Sequence, residues 1–264
     1  MLTSLHNPLV KHVVSLQRRK GREQAGEFMI EGRRFLEEAL RRGASITQTF
    51  LVPERKQPEW EPLLAELARR RIPVEEVDER VVRKLSLTVE PQGILALVKQ
   101  VQYGWADVIP GPHTVLLILD GIQDPGNLGT ILRTALAAGV QDVCLTKGTV
   151  DLYNDKVLRS TMGAVFSLKI LCNQEPNEIL NFCRANSLRL ALADVEGTPP
   201  YSSGLLKPPL ALVIGNEGNG PHEIFRSAAA ERVAIPMFNQ VESLNAAVAT
   251  AILLYETVRQ RDFL

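Results

Sequence analysis

The stretch LALVIGNEGNG, residues 210–220, decides how the C-terminal half of the chain folds. Its apolar run, residues 210–214, has the composition of a buried strand and is followed by a glycine-rich turn. The three glycines of this turn allow backbone groups to approach a ligand closely. Glu217 lies among them, and a carboxylate in a tight turn at a strand end indicates a residue that binds or orients something. A plain turn after a strand is the alternative.

The segment IPMFNQVESLNAAVATAILL, residues 235–254, predicts a second side of the same site. A short strand, residues 232–235, ends at Pro236, which lacks the N–H that the middle of a strand requires. Ser243 then begins a long apolar helix, with Asn245 in its first turn. Strand ends, polar turns and a helix N-terminus form the crevice in which α/β sheets bind ligands. Helix capping alone is the other interpretation of Ser243 and Asn245.

Composition predicts a globular protein, and the distribution of charge is more informative than its total. The chain has 264 residues, 45% hydrophobic and 23% charged, with 30 basic and 30 acidic side chains. The first 22 residues contain no acid, and a second basic cluster around Arg33 is partly offset by glutamates. A solvated helix face and a contact with an anionic partner such as nucleic acid both remain open. The bases in the first cluster are Lys11, Arg18, Arg19, Lys20 and Arg22.

The cysteines and the hydropathy pattern exclude several classes of protein. Cys144, Cys172 and Cys183 show no CxxC spacing, which argues against a zinc site or a disulfide framework and fits a reducing cytoplasm. The four histidines share no metal-ligand spacing, so no metal is expected. No secretion signal and no apolar run of about 18 residues are present, so we expect neither export nor a membrane span.

Alternating helix and strand signals divide the chain into two α/β domains. Residues 1–101 predict a compact smaller domain with strands at residues 27–31, 46–52, 73–77 and 93–98. Residues 102–113 gather glycine and proline and are interpreted as a linker. From residue 114 a second series begins with VLLILD, residues 115–120, whose near-continuous apolar character is typical of a parallel sheet covered on both faces. This domain is predicted to extend to residue 264.

The segment DPGNLGTILR places Asn127, Gly129 and Arg133 at the start of a predicted helix, residues 128–138. Arg133 follows Gly129 by one helical turn and lies on the same face. A polar cluster at a helix N-terminus suits a phosphate or another polar substrate. On this segment alone, an asparagine cap, a turn glycine and an ordinary surface arginine are the simpler interpretation.

The chain lacks the sequence motifs of several common enzyme classes. GNEGNG has the spacing G-x-x-G-x-G instead of the G-x-G-x-x-G of dinucleotide-binding folds, and no Lys-Ser or Lys-Thr follows it as in a phosphate-binding loop. A G-x-S-x-G nucleophile elbow does not occur either. A dinucleotide-dependent oxidoreductase therefore remains only a weak alternative, and hydrolase and metalloenzyme interpretations are poor.

Taken together, the motifs resemble those of the SpoU/TrmH branch of the SPOUT methyltransferases. N-x-G-x-x-x-R from Asn127 to Arg133, IGNEGNG and IPMxxxVxSLNAAVA occur in that order over about 125 residues, and KVLRSTMGAVF matches another family stretch. The N-terminal half is similar to the family's small RNA-recognition domain, in NPLVKHVVSLQRRKGR, FMIEGRRFLEEAL and PQGILALV. The resemblance covers the whole chain.

This resemblance implies an α/β fold with a C-terminal knotted parallel-sheet catalytic domain, the SPOUT trefoil knot, and a smaller N-terminal α/β RNA-recognition domain. The knot is an exception to the rule that chains do not thread themselves, and nothing in the periodicity predicts it. The implied activity is methylation of a ribose 2′-hydroxyl in a structured RNA with S-adenosyl-L-methionine. Large-subunit rRNA is the favoured substrate by analogy, and tRNA is the alternative substrate. The alternative to an enzyme is a non-catalytic RNA-binding assembly factor.

The resemblance also assigns residues. Arg133 is implied as the central catalytic residue, and since a guanidinium almost never deprotonates, its expected role is to stabilise oxygen charge and orient the ribose. Its positioning partners are Asn127, Glu217, Ser243 and Asn245. Three loops are implied to bind the cofactor, largely through backbone groups, and they contain Leu212, Ile214, Gly215, Asn216, Gly218, Gly220, Ile235, Met237, Ser243, Leu244, Asn245 and Ala246.

Partners follow from the same resemblance. The family forms homodimers with sites at the subunit interface, and the apolar helix at residues 244–258 is a candidate contributor. Packing of this helix wholly within its own subunit is the alternative. RNA contacts are expected from the basic N-terminal residues, which supply salt-dependent affinity. The candidates are Lys11, Arg18, Arg19, Lys20, Arg22 and Arg33.

Overall fold

The computed structural model describes residues 1–200, 204–239 and 241–261. The chain divides into two compact units. One consists of Met1–Val101 with Tyr153–Arg159, and the other of Gln102–Leu152 with Ser160–Leu264. The predicted domain end at residue 264 lies outside the described residues, and the predicted boundaries remain predictions.

The first unit is built on a four-stranded sheet of order β1-β4-β2-β3. β4 pairs antiparallel with β1 and with β2, and β3 is parallel to β2. The strands are β1 (Glu27–Glu31), β2 (Ile46–Leu51), β3 (Val74–Glu76) and β4 (Ile94–Lys99), and the helices are α1 (Pro8–Ser15), α2 (Arg19–Ala25), α3 (Arg33–Arg41), α4 (Glu61–Arg69) and α5 (Glu79–Leu85).

Helix starts in this unit follow the sequence signals. The Asn7 side chain accepts a hydrogen bond from the Leu9 N–H at 2.8 Å, and Pro8 occupies the first turn of α1, where its missing N–H costs nothing. Asp78 caps α5 by accepting from the Val81 N–H at 2.8 Å. The apolar faces of α1 and α5 pack into one core with residues of β2 and β4. This core gives the N-terminal unit its own hydrophobic centre.

The second unit contains a six-stranded sheet of order β10-β8-β9-β5-β6-β7 in which every pair is parallel. Its strands are β5 (Val115–Asp120), β6 (Asp142–Thr146), β7 (Lys169–Gln174), β8 (Arg189–Thr198), β9 (Leu210–Gly215) and β10 (Glu231–Val233). The helices that follow along the chain are α6 (Pro125–Ala137), α7 (Asp155–Thr161), α8 (Pro176–Ala185), α9 (Glu223–Ala228) and α10 (Ala246–Gln260), and of these α7 belongs mostly to the first unit.

Sheet register positions the site. β5 is buried over its whole length, as the apolar run VLLILD predicts, and its last residue, Asp120, pairs with Gly215 at the end of β9. β8 lies on the other side of β9 and is parallel to it. Because the carboxyl ends of parallel strands meet at one edge, the turns after β5, β8 and β9 emerge together. This edge carries the candidate site.

Some elements differ from the sequence predictions. Helix α6 starts three residues earlier than predicted because Asp124 is its cap, accepting from the Asn127 N–H at 2.7 Å. β7 begins only at Lys169, because the apolar residues just before it, Ala164–Phe166, form a 3₁₀ turn and do not extend the strand. Helices α2, α7 and α9 were not predicted, because six or seven residues are too few to show a helical period.

Residues 102–113, interpreted as a linker, take part in the packing of the second unit. Trp105–Asp107 forms a 3₁₀ turn, and Val108 is buried in the core of this unit. The Trp105 ring stacks on Phe182 with ring centroids 4.5 Å apart. The glycines and prolines of this segment predict a linker, although its apolar residues Trp105 and Val108 pack in the second unit.

The cysteines are free thiols. Burial raises the pKa of Cys144 well above its usual value and that of Cys183 to about 12, so both remain protonated and unreactive at neutral pH. Within the described ranges, no group of three His, Cys, Asp or Glu side chains is arranged to hold a metal ion. No helix of the described chain is both long enough and apolar enough to cross a membrane.

Candidate functional site

A chain of hydrogen bonds joins the three sequence motifs. The Asn127 Nδ2 donates to Glu217 Oε1 at 2.9 Å, and the Asn245 Nδ2 donates to Asn127 Oδ1 at 2.8 Å. The second carboxylate oxygen of Glu217 accepts from the Gln123 N–H at 3.3 Å. Residues 90 and 118 positions apart in sequence are thus held within hydrogen-bonding distance. Asn127, Glu217 and Asn245 therefore form one network.

Asn245 has two functions in this network. Its Oδ1 caps α10 by accepting from the Ala247 N–H at 2.9 Å and the Val248 N–H at 3.2 Å. Its Nδ2 is left to reach Asn127. The capping interpretation of Asn245 is therefore correct but incomplete, since both functions use different atoms of one amide. The same amide fixes the start of α10 against the start of α6.

Asn216 shapes the glycine-rich turn from within. Its Nδ2 donates to the Gly121 carbonyl at 2.6 Å, and its Oδ1 accepts from the Gly218 and Asn219 N–H groups at 2.8 and 2.9 Å. The Gly220 N–H closes the turn on the Asn216 carbonyl at 3.0 Å. A turn satisfied internally in this way holds its backbone ready for a ligand.

Gly215 is required by close packing. A Cβ at this position would lie under 3.0 Å from the backbone nitrogen and Cδ of Pro221. These atoms belong to the backbone and to a proline ring and cannot move aside as a flexible side chain does. The start of the turn at Gly215 is therefore packed directly against Pro221.

A buried carboxylate holds the far end of the same turn. Asp120 is 1% exposed, and its Oδ1 accepts from the Thr146 hydroxyl at 2.8 Å. Its Oδ2 accepts from the His222 N–H at 2.6 Å, and the His222 Nδ1 lies 2.7 Å from its Oδ1. These hydrogen bonds to both oxygens compensate for the burial of the carboxylate. Asp120 thereby anchors the chain just after Gly220.

Two adjoining cavities open beside the network. The first has a volume of about 230 Å³ and mostly apolar walls. The second has a volume of about 540 Å³, and its wall is more polar, with Gln123, Asp124, Asn127 and Asn245. Asn216, Glu217, Ser243, Leu244 and Ala246 line both. A mostly apolar cavity therefore adjoins a second cavity that has more polar side chains on its wall.

Most of the predicted cofactor residues line these cavities. The first is lined by Ile214, Gly215, Asn216, Gly220, Ile235, Met237, Ser243, Leu244 and Ala246, and Gly218 and Asn245 line the second. Leu212 is an exception, because it lies in the interior of β9, fully buried and paired with Leu117 and Ala191. Its side chain supports the strand, and the prediction that it lines the cofactor pocket is corrected.

Arg133 lies outside both cavities of its own protomer. It is exposed on α6, one and a half turns beyond Asn127, and it does not appear among the residues that line either cavity. The prediction that Arg133 joins the cluster is therefore not met within a single chain.

The predicted RNA-binding residues differ in their surroundings. Lys11, Arg18 and Lys20 are exposed, whereas Arg19 pairs with Glu23 at 2.7 Å and Arg33 with Glu37 at 2.5 Å. Arg22 is only 7% exposed, and its Nη1 donates to the Leu16 carbonyl at 2.8 Å. Its guanidinium stabilises the fold of the first unit, so Arg22 is corrected from an RNA contact to a structural residue.

Several residues that line the first cavity are not among the predicted site residues. Asp194 and Val195 follow Ala193 in β8, and Arg226 comes from α9. The rule that ligands bind at the carboxyl ends of parallel strands would have selected Asp194 once β8 was placed beside β9. No signal was available for Arg226, because α9 is too short to be recognised.

The family of the chain follows from a comparison with known proteins. The SpoU rRNA Methylase family matches residues 114–255, more than half of the chain. The chain belongs to this family. The resemblance seen in the sequence is thus confirmed, and the N-terminal residues 7–96 match the MRM3-like substrate binding domain.

Relatives of the chain include an uncharacterised tRNA/rRNA methyltransferase from Synechocystis sp., 36% identical over 98% of this chain and 94% of that protein. The 23S rRNA guanosine 2′-O-methyltransferase RlmP of Bacillus subtilis is 32% identical over 96% of this chain and 97% of its own length. Among solved structures, an AdoMet-bound rRNA methyltransferase from Sinorhizobium meliloti is 31% identical and superimposes with a TM-score of 0.88 over 98% of this chain and 97% of that one.

Proposed function

We propose that the chain is an S-adenosyl-L-methionine-dependent methyltransferase that modifies a ribose 2′-hydroxyl of large-subunit rRNA. The observation that carries this proposal is the hydrogen-bonded network Glu217–Asn127–Asn245 beside an apolar cavity. The names of the relatives support rRNA as the substrate. Free cysteines support the cytoplasm as the compartment in which it acts.

The residues of the first cavity fit the methyl donor. Ile214, Ile235 and Leu244 provide an apolar wall for an adenine ring, and Gly215 allows the turn beside them to pack against Pro221. Hydrogen bonds to the base and sugar are left to backbone groups of the turn at residues 215–220 other than the Gly218, Asn219 and Gly220 N–H groups, which already donate to Asn216. When bound, the donor supplies an activated methyl group on a sulfonium. All chemistry that remains for the protein is positioning and the handling of one proton.

The second cavity is the proposed site of the ribose to be methylated. Ser243, Asn245 and Asn127 place hydroxyl and amide groups on its wall, and these groups hydrogen-bond a sugar hydroxyl and an adjacent phosphate. Glu217 orients Asn127 from behind, and Asn127 in turn orients Asn245. This network would hold the substrate hydroxyl in a fixed position beside the donor cavity.

Arg133 is proposed to enter the site from a second copy of the chain. It is exposed on α6 and lies outside both cavities of its own protomer. Helix α10 packs on α6 and exposes Val248 and Tyr255, at 49% and 53%, on one face with the partly exposed Ile252. An apolar stripe of this kind is typical of a surface that another subunit covers. In a twofold homodimer, each protomer then completes the site of the other.

In that position Arg133 binds the ribose or its phosphate and stabilises negative charge as it develops on the 2′-oxygen. A guanidinium does not accept the proton, since it is protonated at every accessible pH. The proposed fold of the catalytic domain, residues 114–264, is the trefoil knot of the SPOUT family, and the parallel sheet that matches known family structures supports it.

Residues 1–101 are proposed as the RNA-recognition domain, joined to the catalytic domain through residues 102–113. The match of residues 7–96 to the MRM3-like substrate binding domain supports this division. Lys11, Arg18 and Lys20 are exposed, and they are the main proposed contacts to the RNA phosphates. Arg19 and Arg33 are also proposed to contact the RNA, but each must first break its ion pair with a glutamate.

Replacing Lys11, Arg18 and Lys20 together with glutamine is expected to weaken RNA binding by roughly 10- to 100-fold at low salt and to reduce its salt dependence by about three counterions. Affinity for S-adenosylhomocysteine should not change, because these residues lie in the other compact unit. Filter binding of RNA at several salt concentrations measures the RNA affinity and its salt dependence. An unchanged salt slope would remove this surface from the RNA contact.

The proposed reaction is tested by incubating the protein with methyl-labelled donor and unmodified transcripts of 23S rRNA and of tRNA. Digestion to nucleosides is expected to recover the label in one 2′-O-methyl nucleoside from the 23S transcript. Label in a methylated base would contradict ribose chemistry, and label only in tRNA would replace the substrate. Absence of transfer to rRNA and tRNA alike would favour a non-catalytic assembly factor.

A further inference from the structure

The first cavity contains an ion pair that the proposed mechanism does not use. The Arg226 Nη1 lies 3.1 Å from Asp194 Oδ2, and both residues line the cavity. The Asp194 side chain is only 4% exposed, and that of Arg226 is 31% exposed. Burying a carboxylate without a hydrogen-bonded partner of this kind is costly. The pair is thus a fixed part of the pocket wall.

Contacts around the pair fix the orientation of its guanidinium. The other oxygen of Asp194 accepts from the Glu196 N–H at 3.1 Å. A Cβ at Gly220 would lie 2.7 Å from Arg226 Nη2, so this nitrogen lies against the backbone of the glycine-rich turn. Gly220 also has a φ of +69°, which disfavours any larger residue. Asp194 therefore holds one edge of the guanidinium beside the loop that the donor must contact.

The charges of the wall match those of the donor. Among the described residues that line the first cavity, Arg226 is the only base, and the acids are Asp194 and Glu217. S-adenosylmethionine has one anionic group, the α-carboxylate of its methionine part, next to an α-ammonium. Arginine binds carboxylates through two parallel N–H groups, which gives both strength and orientation.

We propose that Arg226 binds the α-carboxylate of the methionine part of the donor and that Asp194 is its positioning residue, facing the α-ammonium. This inference rests on the proposed function, since it names the residues that recognise one end of its cofactor. The pair would select for donors and products that carry the amino acid. It would leave recognition of the adenosine part to the backbone of the turn at residues 215–220.

Truncated ligands test this assignment on the full-length protein. Calorimetry of wild type and Arg226→Gln is carried out with S-adenosylhomocysteine, with its decarboxylated form and with 5′-methylthioadenosine, which lacks the amino acid entirely. We expect Arg226→Gln to weaken S-adenosylhomocysteine by roughly 10- to 100-fold, the usual effect of one charged hydrogen-bond partner. Affinities for the two truncated ligands should change less than about twofold. Arg232→Gln, an exposed base on β10 outside the cavity lining, is the matched control and should bind all three ligands as wild type does.

Equal losses for all three ligands would overturn the proposal, because they would mean that Arg226 only shapes the pocket. No loss for any ligand would overturn it as well. If Asp194→Asn weakens 5′-methylthioadenosine as strongly as S-adenosylhomocysteine, Asp194 binds the donor's ribose hydroxyls instead and the assignment to the methionine part is wrong. Failure of the wild-type protein to bind S-adenosylhomocysteine would instead contradict the proposed function, so the two failures are distinguishable.

Discussion

Arg133→Ala is expected to lower the rate of methyl transfer by roughly 100- to 1,000-fold, the effect of removing one donor to a developing oxyanion. Affinity for S-adenosylhomocysteine should change less than about threefold, because Arg133 does not line the donor cavity of its own chain. Single-turnover transfer to 23S rRNA and calorimetry measure the two quantities. Arg184→Ala, an exposed arginine at the end of α8, is the matched control and should be fully active. Near-normal methylation by Arg133→Ala would remove this residue from the mechanism.

Gly215→Ala is expected to weaken binding of the donor strongly. The added methyl group would lie under 3.0 Å from Pro221, and overpacking of this kind costs about 1–3 kcal/mol, or roughly 10- to 100-fold in affinity if the turn opens. Gly218→Ala is the comparison in the same turn, because its nearest neighbour would be the Asn216 Oδ1 at 3.6 Å, an ordinary contact. Calorimetry with S-adenosylhomocysteine should rank the variants in that order. Equal affinities for the two variants would show that the tight base of the turn is unimportant.

Mixing these variants shows which protomer supplies Arg133. In a mixed dimer, the protomer with Arg133→Ala keeps an intact donor pocket, and its Gly215→Ala partner keeps Arg133. If Arg133 acts across the interface, random exchange restores activity to about a quarter of wild type, since half of the dimers are mixed and each holds one complete site. No recovery after exchange, with mixed dimers demonstrated by sedimentation of tagged protomers, would place Arg133 in its own protomer's site.

Much of the fold could be predicted from the sequence because its strands are apolar and its helix caps are local. VLLILD and LALVI have the length and composition of buried strands, and Asp78 is adjacent to the helix that it caps. The misplaced start of α6 has a physical reason. Asp124 and Asn127 are both good caps, and only the structure shows that Asp124 accepts the hydrogen bond while Asn127 is free to reach Glu217.

The site was predictable to the extent that it consists of turns with unusual composition. Glycines around Glu217 and the polar start of an apolar helix indicated two of its walls before any strand order was known. Asp194 and Arg226 could not be found in this way, because their pairing depends on β8 lying next to β9. Arg22 was predicted to contact RNA because it belongs to the basic N-terminal cluster. In the structure its side chain is buried, and its guanidinium donates to the Leu16 carbonyl.

Calorimetric titration of the wild-type protein with S-adenosylhomocysteine most directly tests whether the three turns form one donor pocket. We expect saturable binding of one molecule per protomer and roughly 10- to 100-fold weaker binding to Gly215→Ala. An absence of heat at ligand concentrations up to the millimolar range, with heat capacity and light scattering showing a folded protein, would contradict it.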